Sequence, residues 1–132
     1  MTDAGPVLVI DDNADVLEAL ATMLKREGFS VVTAHNGFAA LNLLHGGLRP
    51  CIIVMDLMMP VMNGFEFREQ QMHDPELAHI PVIACSGITD PAETAAHLGL
   101  SASVQKPAEV KTIVDLIRTH CLKARTVSRP PH

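Results

Sequence analysis

Apolar residues along this chain follow two rhythms. Compact runs sit at Val7–Ile10, 30–34, 51–55 and 80–85, with a weaker one at 102–105. Uninterrupted apolar runs of that length suit strands buried on both faces of a parallel sheet. Between them, apolar positions recur every three or four residues, as on one face of a helix. Asn13 caps the first such stretch, which reaches about Glu27 with Val16, Leu17, Leu20, Met23 and Leu24 inward and stops at Gly28. Asn36-Gly37 opens a second, with Phe38, Leu41, Leu44 and Leu48 inward and Gly46-Gly47 as its stop. A third starts at Gly64, turns Phe65, Phe67 and Met72 inward, and breaks at Asp74-Pro75. Asp90-Pro91 begins a short Ala-rich helix ending near Leu98 and Gly99. The last runs from Ala108 to Ala124, with Val110, Ile113, Val114, Ile117 and Cys121 on its core side.

Five strands alternating with five helices imply βαβ units, right-handed crossovers and a parallel α/β sheet. No repeat or linker interrupts the pattern. Residues 1–124 read as one domain and 125–132 as a disordered tail.

Composition narrows the function classes. A chain of 132 residues can bury one real core, and 48% apolar with 19% charged residues excludes a disordered one. No apolar run reaches the ~18 residues of a membrane span, and the first residues lack a basic leader. The expectation is a soluble cytoplasmic protein with no membrane partner. A net charge of −5 argues against nucleic acid, whose phosphates need clustered cations. Arg118, Lys123, Arg125 and Arg129 read as a solvated helix end and tail. Cys51, Cys85 and Cys121 form an odd set without ligand spacing, and neither they nor the seven scattered histidines suggest a metal site. Free thiols are expected, and Cys51 and Cys85, at opposite ends of parallel strands, stand too far apart to bridge.

The polar residues just past the strands carry the candidate chemistry. Strand one ends in Asp11 and Asp12, strand three in Asp56, strand four in Ser86 and strand five in Lys106. In an open parallel sheet these ends share one edge, where ligands bind. Three converging carboxylates call for a cation, and an oxygen-only set calls for a hard one such as Mg²⁺. Lys106 can pair with Asp56 or with an oxyanion built on it, and Ser86 can donate a hydrogen bond to that oxyanion. The set suits phosphoryl transfer to a carboxylate.

These residues, with Met-Asp56-Leu-Met-Met-Pro60, Gly64, Ser86-Gly87 and Lys106-Pro107, resemble the receiver domain of two-component response regulators over residues 6–123. The resemblance implies a flavodoxin-like doubly wound sheet of order 2-1-3-4-5 with five helices. It implies a phosphorylation-controlled signalling switch, not an enzyme, in which Asp56 accepts a phosphoryl group from a phosphohistidine on a histidine kinase or phosphotransfer protein. Asp12 and Asp56 would ligate Mg²⁺, with Asp11 acting directly or through water and Met58 through its backbone carbonyl. Ser86 and Lys106 would contact the phosphoryl oxygens, and the Lys106–Pro107 bond would be cis. The signal would pass to a downstream protein.

The chain departs from the family pattern in places. The aromatic three residues before the lysine is replaced by Ser103, the segment from Ser86 to Lys106 is about two residues short, and Ala108 stands where Phe is frequent. Met58 and Ile88, which would flank the hydrolytic water, are apolar. Two other functions compete. One is a receiver-shaped interaction module acting without phosphate. The other is a Mg²⁺-dependent phosphatase resembling the haloacid-dehalogenase group, which needs a second acid where this chain has Met58.

Overall fold

The computed structural model describes residues 5–56, 62–86, 102–105 and 110–128. Among them are five strands, β1 (Val7–Ile10), β2 (Val31–Ala34), β3 (Ile52–Met55), β4 (Val82–Ser86) and β5 (Ala102–Gln105). Four helices accompany them: α1 (Ala14–Arg26), α2 (Gly37–His45), α3 (Gly64–Met72) and α4 (Val110–Ser128). The helix expected near residues 91–98 lies outside the described residues. All strands are parallel, in the order β2-β1-β3-β4-β5.

Strand side chains alternate between two cores, as a sheet covered on both faces requires. Leu8, Ile10, Ile53 and Met55 face one side with Leu41, Leu44 and Phe67 from α2 and α3. Val7, Val9, Ile52 and Val54 face the other with Leu24 from α1 and Ile113, Val114 and Ile117 from α4. β1 and β3 are buried at every position, which is why their sequences carry no polar alternation.

The helix ends follow the sequence closely. Asn13, Asn36 and Asn63 each cap a helix with the side-chain oxygen, and Glu66 closes a reciprocal capping box with Asn63. Gly28 and Gly47 adopt positive φ where α1 and α2 turn away.

Several inward assignments are corrected. Val16, Met23, Phe38, Phe65 and Met72 are exposed, Phe38 by 56%. On α1 the inner stripe is Leu17, Leu20, Ala21 and Leu24, and on α2 it is Ala40, Leu41 and Leu44. On α3 the buried positions are Gly64, Phe67, Arg68 and Gln71, two of them polar. Gln71 is fully buried because its amide nitrogen donates to the carbonyls of Leu77 (2.9 Å) and Ile80 (3.1 Å), while Arg68 Nη1 donates to its oxygen at 2.8 Å. Burial draws the Arg68 guanidinium below its ordinary pKa. α4 continues to Ser128, so residues 125–128, assigned to the tail, are helical.

The expectation of free thiols is overturned. Cys51 and Cys121 form a disulfide, with a Cα–Cα distance of 5.4 Å. The reason is geometric. α4 runs back across the sheet against β3, and the eleven-residue rise from Val110 to Cys121 covers about 16 Å. The five-residue span from Cys51 to Asp56 covers nearly the same length along the strand, about 16 Å. Cys121 therefore returns to the strand's amino end. Cys85 is buried toward the opposite end, one residue past the Met55↔Ala84 pair, as the expected separation from Cys51 requires.

Candidate functional site

β1 and β3 are neighbours, so their carboxyl ends deliver side chains to one place. The ladder extends one residue past each strand. The Asp11 amide donates to the Ala34 carbonyl (3.2 Å) and the Asp56 amide to the Ile10 carbonyl (3.0 Å). The sheet thereby fixes the backbone at both carboxylates.

The turn after β1 orients the first of them. The Asn13 amide donates to Asp11 Oδ1 at 2.9 Å, and Asn13 Oδ1 accepts from the amides of Asp15 (3.0 Å) and Val16 (3.2 Å). Asp11-Asp12-Asn13 thus works as one unit: the first residue is held by the turn, the third starts α1, and the second is left facing solvent. One oxygen from each of Asp11, Asp12 and Asp56 lies within 4.8 Å of the others. Asp11 (5% exposed) and Asp56 (8%) form the floor, and Asp12 stands at the open side. Carboxylates this close repel one another unless a cation stands among them, and the all-oxygen donor set fits a hard divalent ion.

Ser86 ends β4, two residues past the Met55↔Ala84 pair, and therefore sits at the same sheet edge as Asp56. Gln105 pairs with Ser86 on β5, so the chain leaves β5 toward Lys106 at that edge. Lys106, Met58 and Pro107 lie outside the described residues.

Sequence reasoning took Gly37, the first residue of α2, only as part of a helix start. A Cβ there would meet the Met62 carbonyl oxygen at 3.0 Å and its sulfur at 3.2 Å. The absent side chain lets Met62, just before the Asn63 cap of α3, lie close against the start of α2. The dipeptide Asn36-Gly37 was the only signal, and it reads equally well as an ordinary helix start.

A parallel α/β sheet with an acidic cluster beyond β1 and β3 places that cluster at the carboxyl edge, the edge at which open sheets of this kind generally bind ligands. The sequence profile of the response regulator receiver domain matches residues 7–118. The chain is 34% identical over 114 residues to a probable transcriptional regulator, ycf27, of Guillardia theta, covering 85% of this chain and 43% of that protein. It is 28% identical over 116 residues to the polar-differentiation response regulator DivK of Brucella anthropi, covering 86% of this chain and 94% of DivK. The crystal structure of a response regulator receiver protein from Pseudomonas putida superposes with a TM-score of 0.80 at 31% identity, covering 90% of this chain and 99% of that one. The chain belongs to the response regulator receiver domain family, the phosphorylation-dependent switch module of two-component signalling.

Proposed function

We propose that Asp56 is the phosphoacceptor of this receiver, taking a phosphoryl group from a phosphohistidine on a histidine kinase or phosphotransfer protein. The observation that carries this reading is the convergence of Asp11, Asp12 and Asp56 within 4.8 Å beyond β1 and β3. Asp56 Oδ attacks phosphorus, the P–N bond of the phosphohistidine breaks, and the imidazole leaves with its electron pair. A bound Mg²⁺ supplies neutralisation of the phosphoryl oxygens. Asp11, Asp12 and Asp56, with the Met58 carbonyl, are the groups that would hold it. Ser86 donates a hydrogen bond to one phosphoryl oxygen, and Lys106 pairs with another. Sheet-fixed backbones hold Asp11 and Asp56 in place, so little reorganisation accompanies the transfer.

Residues 1–124 form the receiver unit. It works in the cytoplasm, on a downstream protein rather than on nucleic acid or membrane. Ser103 supplies no aromatic ring to reorient, so the signal travels through backbone movement of residues 86–91 and the segment that follows.

The experiment is addition of Mg²⁺ with beryllofluoride or a small phosphodonor, followed by amide shifts and intact mass. A stable adduct on Asp56, absent in Asp56→Ala, with shifts extending through residues 86–105, supports the switch. Rapid turnover of the donor would favour a phosphatase, and no response an interaction module.

A further inference from the structure

Cys51 and Cys121 are 70 residues apart in sequence and bonded in space. Cys51 stands one residue before β3, at the amino end of the sheet, and Asp56 stands one residue beyond that strand at the other end. The two sites are thus separated by the strand's length, about 16 Å. Both sulfurs belong to buried residues of the core shared by α1, α4 and the sheet, among Leu24, Ile52 and Ile117. The 5.4 Å between their Cα atoms lies within the range of about 4.4–6.8 Å that a disulfide spans without backbone movement. The backbone at both positions is thus placed as a disulfide requires. Cys85 belongs to the same core but sits level with the Asp56 end, too distant to exchange with either sulfur.

Reducing compartments keep most thiols unpaired, and the disulfides that form there are chiefly transient or redox-responsive. This bears on the present pair through the cytoplasmic placement proposed above. α4 has other anchors nearby. Arg118, less than a turn before Cys121, pairs with Glu27 at 2.9 Å and lies over the Phe29 ring at 5.7 Å. Ile113, Val114 and Ile117 hold the first half of the helix to the sheet. α4 is thus docked without the disulfide, and the bond acts on its second half.

We propose that Cys51 and Cys121 form a reversible thiol–disulfide centre that sets how tightly the second half of α4 is held to the sheet. The oxidant is a low-molecular-weight disulfide. When α4 opens locally, the thiolate of one cysteine attacks a sulfur of the oxidant, breaks its S–S bond and expels one thiolate. The second cysteine thiolate attacks the mixed disulfide, forms the Cys51–Cys121 bond and expels the other. Two electrons pass from the protein sulfurs to the oxidant, and the two cysteine protons end on the released thiols.

The test uses the full chain with glutathione disulfide and then dithiothreitol, read by alkylation with peptide mapping and by amide exchange. Cys51 and Cys121 are expected to lose reactivity together on oxidation and regain it on reduction, with Cys85 alkylated in denaturant throughout. Amides from Ile117 onward in α4 should exchange slower by an order of magnitude or more in the oxidised protein. Cys121→Ser should abolish both responses, and Cys121→Val serves the same purpose with an apolar side chain if the serine variant does not fold. Persistence of both thiols in the presence of oxidant overturns the proposal, as does a disulfide that leaves α4 exchange unchanged. No phosphodonor enters these measurements, so their outcome is separate from that of the Asp56 experiment.

Discussion

At the scale of single residues, the strand-end carboxylates were readable because their position follows from the strand pattern alone. Asp11, Asp12 and Asp56 converge as the parallel sheet requires. Side-chain burial on the helices was harder to read, because apolar character and burial are different properties. Phe65 is apolar and exposed, whereas Gln71 is polar and fully buried. Gln71 is inside because the segment after α3 turns the carbonyls of Leu77 and Ile80 inward, and neither is paired by a strand. Gln71→Leu keeps the volume but strips both carbonyls and the Arg68 guanidinium of a partner. The expected loss is about 2–4 kcal/mol in urea unfolding, with the slope unchanged. If Asp56 is phosphorylated as proposed, Met58 is expected to bear on a different quantity, the lifetime of the phosphorylated state. Its thioether cannot align a water molecule for attack on the aspartyl phosphate, so Met58→Asn should shorten the phosphoryl half-life measured by loss of mass adduct. An equal or longer half-life in the variant would mean that an apolar side chain at this position does not slow hydrolysis.

At the scale of elements, strands and helix starts were read within a residue or two because each has a local cause. Uninterrupted β-branched runs gave the strands, and Asn side chains gave the caps. α3 is the instructive exception in its facing. Its inner positions, Gly64, Phe67, Arg68 and Gln71, keep the spacing of a helical stripe but include only one large apolar side chain, so hydrophobicity could not reveal the face. A helix with so little apolar surface depends on its ends. Asn63 accepts from the Glu66 amide at 2.9 Å, and Glu66 accepts from the Asn63 amide at 3.1 Å. Asn63→Ala should cost about 1 kcal/mol of global stability. It should also raise amide exchange in the first turn of α3 more than elsewhere. Because that turn begins only eight residues after Asp56 in sequence, the variant should weaken the beryllofluoride response as well. A uniform rise in exchange across the molecule would show that the cap acts on the whole fold and not on this turn.

At the scale of the whole molecule, the sheet order was legible only through family resemblance, since alternating elements fix parallel pairing but not which strand is central. The disulfide was not legible at all. Its partners are brought together by the return of α4 along β3, a match of helix rise to strand length that no local pattern encodes. The same sheet geometry sets a cost at the other end, where three carboxylates share a few ångströms. Two unit charges 4.8 Å apart in a largely aqueous setting repel by about 1 kcal/mol. Asp12, on the exposed side, repels both buried partners while contributing no core packing. Asp12→Asn should therefore raise the unfolding free energy by about 1 kcal/mol in the absence of divalent ions. Mg²⁺ is expected to reverse the order. Held by the acidic set as proposed, the ion would stabilise the folded wild type by an amount that grows with the logarithm of its concentration above Kd, whereas the variant, one charged ligand short, should gain much less. Urea unfolding of both proteins over a Mg²⁺ series should give curves of stability against ion concentration that cross. Parallel curves would mean that Asp12 takes no part in holding the ion, and a variant less stable than wild type without Mg²⁺ would mean that carboxylate repulsion is not what the site costs the fold.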